Sequence, residues 1–344
     1  MLKENQALLV TKQENKLYFS NFTGTGGVLL ITLKSRYIII EGKYENQAQE
    51  QCKEFSIVTL REKSFLQCLR EIGEREKIEE LLFEEDNVVY SFYKTLKELP
   101  FKLLESNKLI EDKRAIKNLN ELDKIKKSCK IAEKAIEISL KKFKVGMTEV
   151  ELANEIELKS KQLGAEKIDF LIVVSGERGA LPHGRPTNKK IKFGELLTID
   201  FGCIYKGYHS DITRTYAVGE VNLKLKEIYN VVKEAQELGL SLVKAGANTK
   251  MIDSEVRMYI KKLGYENYFV HGLGHGLGLE GHENPILNQR EVNILKSEMV
   301  LTIEPGIYIP GVGGVRIEDT VVVKEHDCEM LTTISKEFEV IGIC

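Results

Sequence analysis

No stretch of this 344-residue chain approaches the roughly 20 consecutive apolar residues that a membrane span requires. The opening MLKENQALLV lacks the apolar core of a secretory signal, which makes a cytoplasmic location the expectation. The six cysteines, at 52, 68, 129, 203, 328 and 344, form no close pairs. That spacing argues against a disulfide framework or a zinc ribbon and for reduced thiols. No charge of one sign dominates, since 50 basic residues face 52 acidic ones for a net charge of −2. Neither a nucleic acid nor an anionic membrane is therefore expected as the main partner. What remains is an ordinary globular balance, 42% apolar and 30% charged, with material for a sizeable core. The length suggests two domains.

The first 112 residues read as an α/β unit. GGVLLITL and SRYIIIEG are buried-strand segments flanked by breakers, and KYENQAQEQCKEF has helix-forming composition. The charged stretch from Glu105 to Asn120 reads as a linker, and helical periodicity resumes with DKIKKSCKIAEKAIEISLKKF.

From there the chain repeats itself at an offset of 100 residues. KVGMTEVELANEIELKSKQLGAE (144–166) parallels KAGANTKMIDSEVRMYIKKLGYE (244–266), with Lys144, Gly146, Leu163 and Gly164 matching Lys244, Gly246, Leu263 and Gly264. Each copy follows a helix, 123–143 and 224–244, and reads as a helix itself. Thr148 and Glu151 supply a capping box for the first. The pattern indicates duplication within one domain, with a site between the halves.

The chemistry concentrates in this second part. Five of the six histidines fall between 183 and 282, in segments punctuated by Gly and Pro. Acidic residues stand inside apolar, strand-like runs: Asp200 in LLTIDFG, Asp211 in SDITRTYAV, Glu304 in MVLTIEPGIYI and Glu318 in GGVRIEDTVVV. Carboxylates are rarely buried unless paired or metal-bound. One such acid is ordinarily a salt-bridged strand residue. Four of them beside HGLGHGLGLEGHE require compensating charge, which two divalent cations supply. Strand parity places Arg316 on the face of Glu318, looking into the site, and turns Arg214 away from Asp211 towards a structural ion pair.

TIDFG (198–202), SDITRT (210–215), HGLGHGLGLEGHENP (271–285), TIEPGIY (302–308) and GGVRIEDT (313–320) resemble the successive motifs of the M24 peptidases. That family includes aminopeptidase P, prolidase and methionine aminopeptidase. NFTGTGGVLLI and EGKYENQA are similar to the smaller creatinase-like domain. The resemblance implies an α+β chain: a C-terminal pita-bread catalytic domain (113–344) with an internal pseudo-twofold repeat, preceded by a smaller α/β creatinase-like domain (1–112). It also implies a homodimer in which the N-terminal domains help to wall the sites.

Carried over residue by residue, the resemblance implies that Asp200 chelates one metal, Asp211 and Glu318 bridge two, and His275 and Glu304 complete the second. This oxygen-rich set with one histidine suits Mn²⁺ or Co²⁺, with Fe²⁺ and Zn²⁺ as alternatives. Glu304 is the expected proton shuttle. His282 is expected to stabilise the tetrahedral intermediate, His271 to contact the residue at the proline position, and His183 in LPHGRP to act as a third substrate histidine. His209 and His326 match no functional position. Tyr308 is expected to wall the pocket from the face of Glu304, on a strand continuing past Gly306.

The implied substrates are peptides with proline second. All five ligands are present, which argues against a metal-free creatinase-like protein. The N-terminal domain and Arg316 argue against a methionine aminopeptidase. Strict Xaa-Pro dipeptidases carry HE-x-P-Arg, where the Arg pairs with the dipeptide carboxylate, whereas this chain has HENPI with Ile286 in that place. The expectation is therefore an Xaa-Pro aminopeptidase acting on longer peptides, with Xaa-Pro dipeptidase (prolidase) as the alternative.

Overall fold

The computed structural model describes residues 2–342. The chain divides between Arg114 and Ala115 into two compact units. Unit 1 holds β1 (Gln6–Val10), α1 (Gln13–Ser20), β2 (Val28–Thr32), β3 (Arg36–Glu41), α2 (Glu45–Gln51), β4 (Ser56–Leu60), α3 (Phe65–Glu76), β5 (Glu80–Phe83), α4 (Tyr90–Leu96) and β6 (Lys102–Glu105). The strands form one mixed sheet in the order β4-β3-β2-β1-β5-β6. Strand alternation gives it two dry faces. Leu9, Leu30 and Ile39 pack with Leu69 and Ile72 of α3 on one side, and Leu8, Leu29 and Ile38 pack with Phe22 and Ala48 of α2 on the other.

The stretch read as a linker is more ordered than its composition suggests. α5 (Glu111–Ala115) lies within it, and Ile110, Arg114 and Lys117 are buried. Arg114 NH1 donates to Asn15 Oδ1 at 2.7 Å. Ile116 bridges to Met299. Long charged side chains here bury their stems and find distant partners, which composition alone does not reveal.

Unit 2 carries the duplication. α6 (Leu119–Leu140) and α7 (Glu149–Gln162) recur as α8 (Leu223–Leu242) and α9 (Thr249–Lys262). α7 begins with the expected capping box, Glu151 N to Thr148 Oγ1 at 3.1 Å and Thr148 N to Glu151 Oε2 at 2.7 Å. The correspondence extends to single hydrogen bonds. Gly146 N donates to Ile191 O, and Gly246 N to Leu295 O; Ile191 N donates to Met147 O, and Leu295 N to Ala247 O. Gly146 and Gly246 have φ of +95° and +83°, a conformation that costs an L side chain about 1–2 kcal/mol. Glycine therefore recurs at the turn into each copy.

Each helix pair covers its own sheet. α6 and α7 pack on β7 (Lys167–Ser175), β8 (Leu196–Tyr205) and β10 (Ile212–Val218), through Ile136, Ile156, Val173, Ile199 and Phe201. β9 (Tyr208–His209) and β18 (Val340–Ile341) extend that sheet. α8 and α9 pack through Val232, Val256, Leu301, Ile303 and Val321 against the sheet ordered β12-β11-β13-β16-β17. Its strands are β11 (Gly274–Gly276), β12 (Glu283–Leu287), β13 (Val300–Ile303), β16 (Asp319–Val323) and β17 (Cys328–Met330). β14 (Gly306–Ile309) and β15 (Gly313–Arg316) form a separate two-stranded ribbon.

The sequence suggests that the runs holding Glu304 and Glu318 are continuous strands. Both are broken at the acid. β13 stops before Glu304 and β15 stops before Ile317, because the chain leaves one sheet for another at each point. The two carboxylates therefore stand at strand corners, with Glu304 N bonded to Leu273 O at 2.8 Å and Glu318 N to Thr213 O at 3.1 Å.

No helix among the described residues is long and apolar enough to cross a membrane. The five described cysteines are free thiols.

Candidate metal centre

Asp200 sits in the middle of β8, opposite Thr213 of β10 and Ile172 of β7. Asp211 immediately precedes β10, with its carbonyl accepting from Thr320 Oγ1 at 2.7 Å. His275 lies on β11, with its backbone N–H on Thr302 Oγ1 at 3.2 Å. The first half of the duplication thus contributes two aspartates, and the second half contributes His275, Glu304 and Glu318. All five line one cavity of about 480 Å³. Asp211, His275 and Glu318 offer ligand atoms within 4.8 Å of one another.

The donor chemistry fits divalent cations. Asp200 Oδ1, Asp211 Oδ1 and Glu318 Oε1 are buried and accept no hydrogen bond from any described residue. Buried carboxylate oxygens left in this way are costly. His275 donates from Nδ1 to Gly276 O at 3.0 Å, which turns the Nε2 lone pair inward. Nε2 there lies 3.3 Å from Glu304 Oε1 and 3.6 Å from Asp211 Oδ2. A lone pair facing two carboxylates needs a cation or a proton between them.

The electrostatics agree. Burial, then Glu318 and the other acids, pushes the Asp211 carboxyl well above its ordinary range. Burial and the neighbouring acids do the same for Glu318. Burial also raises Asp200, against the pull of Arg316. Burial alone would raise Glu304 too, but its hydrogen bond to His275 and the nearby positive charges bring it down to about 2. Four carboxylates share a buried space with one guanidinium. Such crowding marks a site built for added positive charge.

Arg316 looks into the site, as strand parity predicts. Its NH2 donates to Asp200 Oδ2 at 2.5 Å, its Nε to Thr213 Oγ1 at 3.1 Å and its NH1 to the Tyr308 hydroxyl at 2.7 Å. Thr213 in turn donates to Glu318 Oε2 at 2.7 Å. Arg214 points away and pairs with Asp319 at 2.6 Å, where Gln236 and Thr332 also bond.

Tyr308 departs from its expected place. The strand does not continue from Glu304 through Gly306, and Tyr308 sits on the two-stranded ribbon rather than on the face of Glu304. Its hydroxyl accepts from Arg316 and reaches His271 Nε2 at 2.9 Å. His271 Nδ1 bonds Gly272 O at 2.8 Å, so both ring nitrogens are engaged. Burial lowers the His271 pKa.

His282 lines the same cavity as His183 and Ile286. Burial first, then His275, holds the His282 pKa down at about 4, so the ring is neutral at physiological pH. His326 lies exposed on the turn between β16 and β17.

Two pairs escape sequence reasoning. Lys117 and Glu283 form a buried ion pair at 2.7 Å, linking residues 166 positions apart. His209 Nδ1 lies 2.9 Å from Asp169 Oδ2, and Asp169 lines the cavity. A usable signal for the first was Glu283, directly after His282 and three residues after Glu280 in HGLGHGLGLEGHENP. Nothing local marks the second.

The chain belongs to metallopeptidase family M24, whose model matches residues 123–325. The creatinase/prolidase N-terminal domain matches residues 3–116. Membership implies the use of divalent metal. The chain is 41% identical over 340 residues to an Xaa-Pro dipeptidase of Pyrococcus furiosus, covering 96% of this chain and 94% of that protein. Among solved structures, it is similar to an Xaa-Pro dipeptidase from Bacillus anthracis, with a TM-score of 0.94, 42% identity and coverage of 97% and 95%. It is also similar to an X-Pro aminopeptidase from Thermotoga maritima, with a TM-score of 0.92, 36% identity and coverage of 98% and 97%.

Proposed function

We propose that this chain hydrolyses the peptide bond before proline, with Xaa-Pro dipeptides as its main substrates. The observation that carries the reading is the convergence of Asp200, Asp211, His275, Glu304 and Glu318 on one cavity, with three buried carboxylate oxygens left free to ligate. Divalent cations held there would supply Lewis acidity and lower the pKa of water. Asp211 and Glu318 would be shared between two cations, Asp200 would complete one, and His275 and Glu304 the other.

The protein's own groups then have distinct tasks. Glu304 is fixed through Oε1 by His275 and Thr302, which leaves Oε2 to take a proton from the attacking water. The same oxygen returns it to the proline nitrogen, which must leave as an amine. Neutral His282 donates an N–H towards the oxyanion that forms at the scissile carbonyl. His271, held by Gly272 and Tyr308, shapes the wall at the proline position. Arg316 keeps Asp200, Thr213 and Tyr308 in register.

The dipeptide preference rests on whole-length similarity to Xaa-Pro dipeptidases. Ile286 on the cavity wall favours a second reading, an Xaa-Pro aminopeptidase, as in the Thermotoga relative. A hydrocarbon offers no ion pair to a dipeptide carboxylate, and with Arg316 engaged, the exposed His183 is the candidate to meet it.

Steady-state kinetics on Leu-Pro and Leu-Pro-Ala, with Mn²⁺- or Co²⁺-loaded protein, separate the two. A higher kcat/KM for Leu-Pro is expected. Preference for the tripeptide by about tenfold, the worth of one charge-assisted hydrogen bond, would establish the aminopeptidase reading instead.

A further inference from the structure

The ladder between β7 and β8 slips at one point. Ile168 pairs with Cys203 and Phe170 pairs with Gly202, so Asp169 is an extra residue between them. A bulge of this kind re-aims the side chain that it carries. Here it brings Asp169 to the cavity wall, alongside Phe170, Ile172 and His282.

The carboxylate is held in place. Oδ2 lies 2.9 Å from His209 Nδ1, and the His209 backbone N–H is anchored on Gly278 O at 2.8 Å. A Cβ at Gly281 would come within 2.5 Å of Asp169 Oδ2 and 3.2 Å of His209 Nδ1. The residue before His282 therefore leaves room for this pair. The hydrogen bond to His209 outweighs burial and keeps Asp169 below its ordinary pKa, so it is an anion at neutral pH. Its side chain remains 29% exposed, against 4% to 17% for Asp211, His275 and Glu304. Asp211 and Glu304 are more deeply buried, and Asp169 is the most exposed acid of the three on the cavity wall.

We infer that Asp169 is a specificity-determining residue that favours a cationic side chain, lysine or arginine, on the residue before proline. The inference rests on the Xaa-Pro reading above. A substrate's α-ammonium, one carbon from the scissile carbonyl, would sit near the buried acids, whereas a long side chain would reach outward to the partly exposed Asp169 carboxylate. A fixed anion there attracts Lys or Arg and repels Glu, and a charge-assisted hydrogen bond adds to the discrimination.

The test is kcat/KM for Lys-Pro, Leu-Pro and Glu-Pro with the metal-loaded enzyme. Wild type should prefer Lys-Pro over Glu-Pro by at least about tenfold. Asp169→Asn should shrink that ratio to about threefold or less, and Asp169→Lys should invert it. Equal rates on the three peptides with wild type would overturn the inference without any variant being needed. So would an unchanged ratio in Asp169→Asn, or a uniform loss on all three peptides, which would mean that Asp169 reads the α-ammonium. Failure to cleave any Xaa-Pro peptide, with metal bound, would instead remove the underlying reading and this inference with it.

Discussion

His275 and His282 stack face to face, with ring centroids 3.7 Å apart and planes inclined by 23°. The Gly276 carbonyl orients the His275 ring so that Nε2 faces Glu304 and Asp211. The His282 ring lies over it, kept neutral by burial. In the proposed mechanism, a metal-bound His275 would thus fix the position from which His282 would donate to the oxyanion. Replacing His282 with Ala should lower kcat by about 10²–10³-fold, the range for losing one such donor. Metal content should be unchanged. A kcat within threefold of wild type would reassign the oxyanion donor.

The crowded carboxylates make the stability of the metal-free protein depend on pH. Asp200, Asp211 and Glu318 have folded pKa values above their ordinary 3.8, 3.8 and 4.5, chiefly through burial. The folded state therefore binds protons more tightly than the unfolded chain. That stabilisation is complete below the unfolded values and is lost as pH rises through the folded ones. Glu304 runs the other way, but its folded value of about 2 confines its loss of stabilisation to acid below its ordinary 4.5. His271 and His282, whose values are lowered, oppose this below their ordinary 6.5, so thermal melts of chelator-treated protein should show Tm falling as pH rises above about 6.5, with Mn²⁺ raising it most at the higher pH. A flat profile that metal does not alter would contradict the assigned electrostatics.

Lys117 and Glu283 are 1% and 5% exposed. Lys117→Met would take the cation away from a buried carboxylate beside His282 and should destabilise the protein by about 3–5 kcal/mol. Adding Glu283→Gln removes that charge and should recover more than half of the loss, as read from denaturant midpoints. A loss below about 1 kcal/mol, the worth of an exposed pair, would show that the pair is not sealed.

How much of this was legible in the sequence follows from the range of each interaction. The helix pairs were readable because Gly146 and Gly246, Thr148 and Glu151 act within one turn. Arg214 was separable because strand parity holds within β10, whereas Arg316 reaches the site although its strand ends before Glu318. The strand breaks at Glu304 and Ile317 were hidden, since the β formers around them suit either of the two sheets that the chain joins. The Asp169 bulge, the Lys117–Glu283 pair and the corrected place of Tyr308 all depend on register between distant strands, which no local pattern encodes. The dipeptide question turned on Ile286 alone, and one residue weighs less than similarity over the whole chain.

The central claim is that five side chains together hold two divalent cations that hydrolysis requires. Isothermal titration of Mn²⁺ into metal-free protein, paired with Asp211→Asn, tests it most directly. Two sites per chain are expected in the wild type. Because Asp211 is read as shared between both cations, its substitution should weaken both sites, by at least the 10-fold typical of altering a ligand's surroundings. Wild-type protein that binds no Mn²⁺ or Co²⁺, or an Asp211→Asn variant that binds both ions as tightly as wild type, would contradict the account.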